Sequence, residues 1–213
     1  MSTAKGSPNR FRAKTSRILH GAFYVFLVAG IFAIGYAGYM VADAYSYQSL
    51  EATKFELPVP ALEPNALAQG DVIGEITVPR LGLNAIVVQG DSVANLRHAV
   101  GHISNTSLPG EPGNVALAGH RDSFFRPLRK IQPGDAITIR TRQGTVEYRV
   151  ESTEVILPSG TQVLRQSRDN ILTLITCYPF YYVGAAAKRF IVHARQVELV
   201  PAEFAAPDMP LRF

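Results

Sequence analysis

An all-β barrel or sandwich, held to a membrane by one N-terminal helix, is the architecture that this 213-residue chain predicts. Three observations carry that reading. Residues 18–42 are 25 consecutive positions without Lys, Arg, Asp or Glu. Beyond Gly70 the chain breaks into seven or eight short β-rich runs cut by Gly, Pro and Asn, with few helical stretches between them. Neither a Gly-x-Gly-x-x-Gly nor a phosphate-loop pattern occurs, which argues against a nucleotide enzyme.

The elements follow in chain order. Residues 1–17 form a basic tail, with Lys5, Arg10, Arg12, Lys14 and Arg17 and no acid. The net charge of +4 resides there: Asp43 removes one charge, and from Ala44 onward 16 basic and 16 acidic residues cancel. A pI near 9.3 therefore points to membrane orientation, not to nucleic acid. Ile18 to Ala42 exceeds the roughly 20 apolar residues that cross a bilayer as a helix. Tyr24 near one end and Tyr36, Tyr39 and Tyr45 near the other resemble interfacial aromatics. Basic residues on the N-terminal flank place the N-terminus in the cytoplasm and the rest of the chain outside. Ala42-Asp43-Ala44 fits a signal-peptide cleavage pattern, but the run far exceeds the roughly 7–15 residues of a signal core, which favours a retained anchor.

Residues 43–70 read as a stalk: a short helical continuation to about residue 57, then a stiff spacer at Pro58, Pro60 and Pro64. Val72–Val78 and Ala85–Val88 are apolar strand candidates separated by Pro79-Arg80-Leu81-Gly82. Asp91–Ala99 predicts a short helix capped by Asp91 or Ser92, and Asn105–Gly113 a loop. Asn114–Ala118 is a strand ending at Gly119-His120-Arg121-Asp122. Ile137 and Ile139 alternate with Thr138, Arg140 and Arg142; Gln143-Gly144 turns the chain into Val146, Tyr148 and Val150, so this pair predicts a hairpin. Ile171–Thr176 and Phe190–Ala194 are further β-branched runs, and residues 201–213 form a C-terminal tail. The 47% hydrophobic content excludes wholesale disorder, and no internal repeat occurs.

One cysteine rules out an intramolecular disulfide and a cysteine-cage zinc site. Cys177 closes the run Leu172-Thr173-Leu174-Ile175-Thr176 and is followed by Tyr178-Pro179, which puts it at a strand end beside a loop. Taken alone, it reads first as a small buried hydrophobe, the commonest fate of a free cysteine, and only second as a nucleophile. A nucleophilic thiol needs a base, and the candidates are His20, His98, His102, His120 and His193. His20 falls in the membrane segment and His193 inside a strand, while His98 and His102 flank a short helix and a loop. His120 follows a strand as Cys177 ends one, and two such ends opening on one barrel edge would bring thiol and imidazole together. Arg189 opens the next strand; it is either a solvated strand-end charge or the cation that thiol acylation requires. Arg121, Arg126, Arg129 and Lys130 surround Phe124 and Phe125 in a basic loop, most simply a surface loop packed by its aromatics.

Thr173-Leu174-Ile175-Thr176-Cys177 with Arg189 twelve residues on resembles the active-site signature of the sortases. Leu117-Ala118-Gly119-His120-Arg121-Asp122 resembles their histidine strand end. Pro109–Arg129 and Val183-Gly184 are similar to class D members, and the resemblance covers roughly Asp71 to Glu198. It implies a closed eight-stranded β-barrel over residues 71–200 behind a transmembrane anchor. It also implies a cysteine transpeptidase with His120, Cys177 and Arg189 as catalytic residues. The implied substrates are secreted proteins bearing a C-terminal Leu-Pro-x-Thr-Gly-like sorting signal, joined to an amine such as a peptidoglycan precursor. Neither a cofactor nor a metal is expected, since no acidic cluster is evident. Residues 44–70 carry no Asp-Pro-Trp or Asp-Pro-Phe, the lid motif of pilus-building members, so the resemblance does not extend to pilin polymerisation. A peptidase that only hydrolyses and a non-enzymatic membrane-tethered barrel are the competing expectations.

Overall fold

The computed structural model describes residues 9–56, 67–182 and 184–201. The chain divides after Asp43 into two compact units. The first holds the greater part of α1, which as a whole runs unbroken from Asn9–Glu56 for 48 residues. Its stretch from Leu19 is long and apolar enough to cross a membrane. Phe26, Phe32 and Ile34 are each about three-quarters exposed. Apolar side chains in that number and that exposed are at home in lipid, not in water. The proposed signal-cleavage triplet lies inside this continuous helix, whereas residues 1–8, the Pro58–Pro64 spacer and residues 202–213 lie outside the described residues.

The second unit is a closed barrel of eight strands: β1 (Val72–Val78), β2 (Leu83–Gln89), β3 (Val100–His102), β4 (Asn114–Ala118), β5 (Ala136–Thr141), β6 (Gly144–Ile156), β7 (Ile171–Tyr178) and β8 (Lys188–Pro201). Around the barrel they run β1-β2-β3-β4-β7-β8-β6-β5. Closure removes both sheet edges, which resolves the choice between barrel and sandwich. The β2–β3 and β4–β7 pairs are parallel and the rest antiparallel.

Alternation explains the hairpin wall. In β5, Ile137 and Ile139 are wholly buried, and across from them Tyr148 and Val146 fill the same interior. Elsewhere alternation fails for a definite reason. Leu172, Thr173 and Leu174 are all buried, because the β6–β7 connection covers the outside of β7. Asn114 on β4 holds that connection, donating to the Val163 carbonyl at 2.8 Å and to the Arg165 carbonyl at 3.1 Å while accepting from the Thr173 hydroxyl at 2.9 Å. A strand covered on both faces reads as a continuous apolar run.

Helix α2 (Val93–His98) is capped by Ser92, whose hydroxyl accepts from the Asn95 amide at 3.2 Å. It stops one residue before β3, a three-residue strand that the sequence pattern does not announce. The last turns of α1 pack on this side of the barrel. Gln48 donates to the His98 carbonyl at 2.5 Å and accepts from the Ile86 amide at 2.8 Å, and Tyr47 and Ala52 cover Ile86, Val88 and Ala99.

Candidate active site

The pairing of β4 with β7 sets the site. Asn114 meets Ile171 and Ala118 meets Ile175, a constant offset of 57 residues. The offset persists past the last paired residues: the Gly119 amide donates to the Ile175 carbonyl at 3.1 Å, and the Thr176 hydroxyl donates to the Gly119 carbonyl at 2.8 Å. One step further, the same offset brings His120 level with Cys177. On the other flank of β7, Cys177 stands directly across from Arg189 on β8. Val115 and Leu117, Leu172 and Leu174, and Val192 and Ala194 turn into the core. Strand alternation therefore turns Cys177 and Arg189 to the outer face of the barrel end at which His120 follows β4. All three are half-buried: enclosed enough to be oriented, open enough to meet a substrate.

Local packing steadies each strand end. Gly119 is needed where it is, because a Cβ there would lie 2.8 Å from the Phe125 ring. Phe125 is fully buried, and its amide donates to the His120 carbonyl at 3.0 Å, so the turn after His120 folds over the barrel mouth. On the other side, the rings of Tyr178, Phe180 and Phe190 form a cluster with centroids 5.3–6.4 Å apart. Those rings root the connection between β7 and β8. The Arg189 guanidinium donates to the Ala186 carbonyl at 3.3 Å and to the Lys188 carbonyl at 3.1 Å, which ties it to the chain leading into β8.

The other histidines are engaged elsewhere. His102 is buried between Gln89 Oε1 at 2.8 Å and the Ser107 carbonyl at 3.0 Å, and burial pushes its pKa below the ordinary value. His193 contacts Glu154 at 2.9 Å, His98 ends α2, and His20 sits on the apolar helix. The basic loop is not uniform. Arg126, Arg129 and Lys130 are exposed, but Arg121 is buried and bonded to the β7–β8 connection, which its charge alone did not suggest. The partners of Asn114 and Thr176 are not legible in the sequence, because a polar residue inside an apolar strand gives no sign of which group it meets.

Among the described residues no group of three or more His, Cys, Asp or Glu is placed to hold a metal ion. A cavity of about 220 Å³ lies at the opposite end of the barrel, bounded by Leu67, Val72, Leu108, Glu111 and Arg142, and includes none of the three candidates.

Such a barrel, with a lone thiol at the end of β7, is the scaffold of a cysteine transpeptidase. The sortase domain matches residues 76–197, more than half of the chain, which belongs to the sortase family. The chain is similar to Sortase D of Bacillus subtilis, 28% identical over 190 residues that cover 80% of this chain and 95% of that protein. It is also similar to Sortase SrtE1 of Streptomyces coelicolor, 30% identical over 68% of this chain and 46% of that one. The solved Sortase D5 transpeptidase of Clostridium perfringens superposes with a TM-score of 0.61 at 28% identity, over 72% of this chain and 98% of that chain. The class D likeness thus appears in both sequence and structure.

Proposed function

We propose that this enzyme acts from the outer face of a membrane, cleaving a Leu-Pro-x-Thr-Gly-like or Leu-Pro-x-Thr-Ala-like sorting signal and joining the acyl fragment to an amine. The observation that carries the reading is the convergence of three chain segments: Cys177 paired with Arg189, and His120 two residues past the end of the neighbouring β4, where its register with β7 continues.

In this reading the Cys177 thiolate attacks the threonine carbonyl carbon and its π electrons move to oxygen. Arg189, which stays charged and donates from a rigid fork, steadies that oxyanion. Collapse breaks the C–N bond, and His120 passes a proton to the departing amine. A thioester remains. An incoming amine attacks it, His120 takes back a proton, and the thiolate leaves. The acyl bond energy is conserved throughout, so no nucleotide is required. A peptidoglycan precursor is the amine this placement favours, and the +5 tail of residues 1–17 supports a cytoplasmic N-terminus.

The test is mass spectrometry of the full chain incubated with Leu-Pro-x-Thr-Gly and Leu-Pro-x-Thr-Ala peptides, with and without added amines. The expected products are a thioester on Cys177 and an amide of the added amine. An acid product alone would make the protein a hydrolase. Full cleavage by Cys177→Ala would remove the thiol from the chemistry, and His120→Ala and Arg189→Ala should each cost about a hundredfold or more in rate.

A further inference from the structure

We propose that Arg121 is a positioning residue of the transfer reaction: it fixes the backbone of the β7–β8 connection and, through it, the Arg189 guanidinium beside Cys177. The proposal rests on the reading of His120, Cys177 and Arg189 as the reacting set.

Arg121 follows His120 directly, yet its side chain is turned inward and only 9% exposed. Its Nη1 donates to the Pro179 carbonyl at 3.1 Å and its Nη2 to the Gly184 carbonyl at 2.8 Å. The Tyr182 ring lies over it, 5.9 Å from the guanidinium carbon. A buried cation is costly unless hydrogen-bonded, and here carbonyl dipoles supply those bonds. The two carbonyls are set five residues apart, on either side of the bend. The planar fork reaches them from two separate nitrogens in a fixed geometry; an ammonium offers its donors from one point, and an amide is shorter.

What the fork holds is the link between the other two candidates. Pro179 is two residues past Cys177. Gly184 is two residues before Ala186, whose carbonyl, with that of Lys188, accepts from Arg189. Arg189 is thus held by main-chain carbonyls, and the position of its charge follows the position of residues 184–188. Arg121 sets that position from the His120 end. One side chain thereby joins the ends of β4, β7 and β8, where a displacement near 1 Å can cost on the order of a hundredfold in rate.

A mere loop staple would lower stability and slow every step alike; a residue that acts through Arg189 has no effect once Arg189 is gone. The lone cysteine allows a readout that needs no substrate. A correctly placed cation speeds alkylation of Cys177 by anionic iodoacetate relative to neutral iodoacetamide. The ratio of the two rates is measured on the full chain in detergent for the parent, Arg121→Gln, Arg189→Gln and the double variant, with thermal unfolding alongside. Cleavage of the Leu-Pro-x-Thr-Gly and Leu-Pro-x-Thr-Ala peptides by the parent and Arg121→Lys completes the set.

Arg189→Gln is expected to lower the ratio about threefold, Arg121→Gln nearly as much, and the double variant no further. Arg121→Lys should lower peptide turnover about tenfold, chiefly in kcat. If Arg189→Gln lowers the ratio but Arg121→Gln leaves it unchanged, or lowers it equally in both backgrounds, the positioning role is overturned and the catalytic reading stands. If Arg189→Gln changes neither the ratio nor peptide cleavage, the catalytic reading of Arg189 falls and the positioning role with it.

Discussion

The Thr176 hydroxyl donates to the Gly119 carbonyl at 2.8 Å, a buried bond between the residue before Cys177 and the residue before His120. It lies one residue beyond the last paired residues of β4 and β7, Ala118 and Ile175, and it extends their register to the point where chemistry is proposed. Thr176→Val keeps the shape and deletes the donor, leaving a buried carbonyl without that bond. The expected loss is about 1–2 kcal/mol of stability, measured by urea unfolding, together with slower thioester formation. Thr176→Ser should restore both, and equal loss in Ser and Val would show that packing, not the hydrogen bond, matters.

Gly119→Ala should be harmful for a steric reason. The new methyl would come within 2.8 Å of the Phe125 ring, and that ring is fully buried. Overpacking of this kind costs about 1–3 kcal/mol. Phe125→Leu alone also destabilises, but the double variant should be less unstable than the sum of the singles. Strict additivity in denaturant midpoints would count against the contact.

Asn114 serves three partners at once, two carbonyls on the β6–β7 connection and the hydroxyl of Thr173. Asn114→Leu would strand all of them, at a cost on the order of 3 kcal/mol. The connection over β7 should loosen first. Limited proteolysis should then cut within residues 157–170 before anywhere else in the barrel; an unchanged cleavage pattern would remove Asn114 as the anchor.

The pH response follows from His102. Burial lowers its pKa, against the smaller opposing pull of the Ser107 carbonyl, Glu111 and Asp91. The folded protein keeps the ring neutral, while the unfolded chain takes up a proton near pH 6.5. Stability from this group is therefore intact above about pH 6.5 and is lost as the pH falls toward the lowered folded value. Thermal midpoints between pH 7.5 and 5 should drop more steeply for the parent than for His102→Gln, and parallel curves would refute the assignment.

The legible parts of the molecule were those governed by short-range rules. Ile137, Ile139, Val146 and Tyr148 alternate as a half-buried hairpin must, and Ser92 caps its helix as hydroxyls do. The Gly-His and Thr-Cys strand ends were visible because each closes an apolar run. Strand β3 was not, since three residues carry no period, and barrel closure depends on pairings between distant segments. Arg121 was misjudged for a different reason. Charge places a side chain at the surface by default, and only the carbonyls of a segment some 60 residues away make its burial tolerable.

The β4–β7 pairing has a consequence for the order of events in folding. His120 and Cys177 come from strands that touch but are separated in the chain by the whole β5–β6 hairpin. No local fragment contains the site, and pairing over such a distance is among the slow steps of assembly. On the proposed reading of the site, a nascent or partly denatured chain carries Cys177 without His120 and Arg189 beside it, and transfer begins only with the finished barrel. The enzyme is in this sense its own proofreader: a molecule that has not completed its fold has no means of acting on the proteins around it.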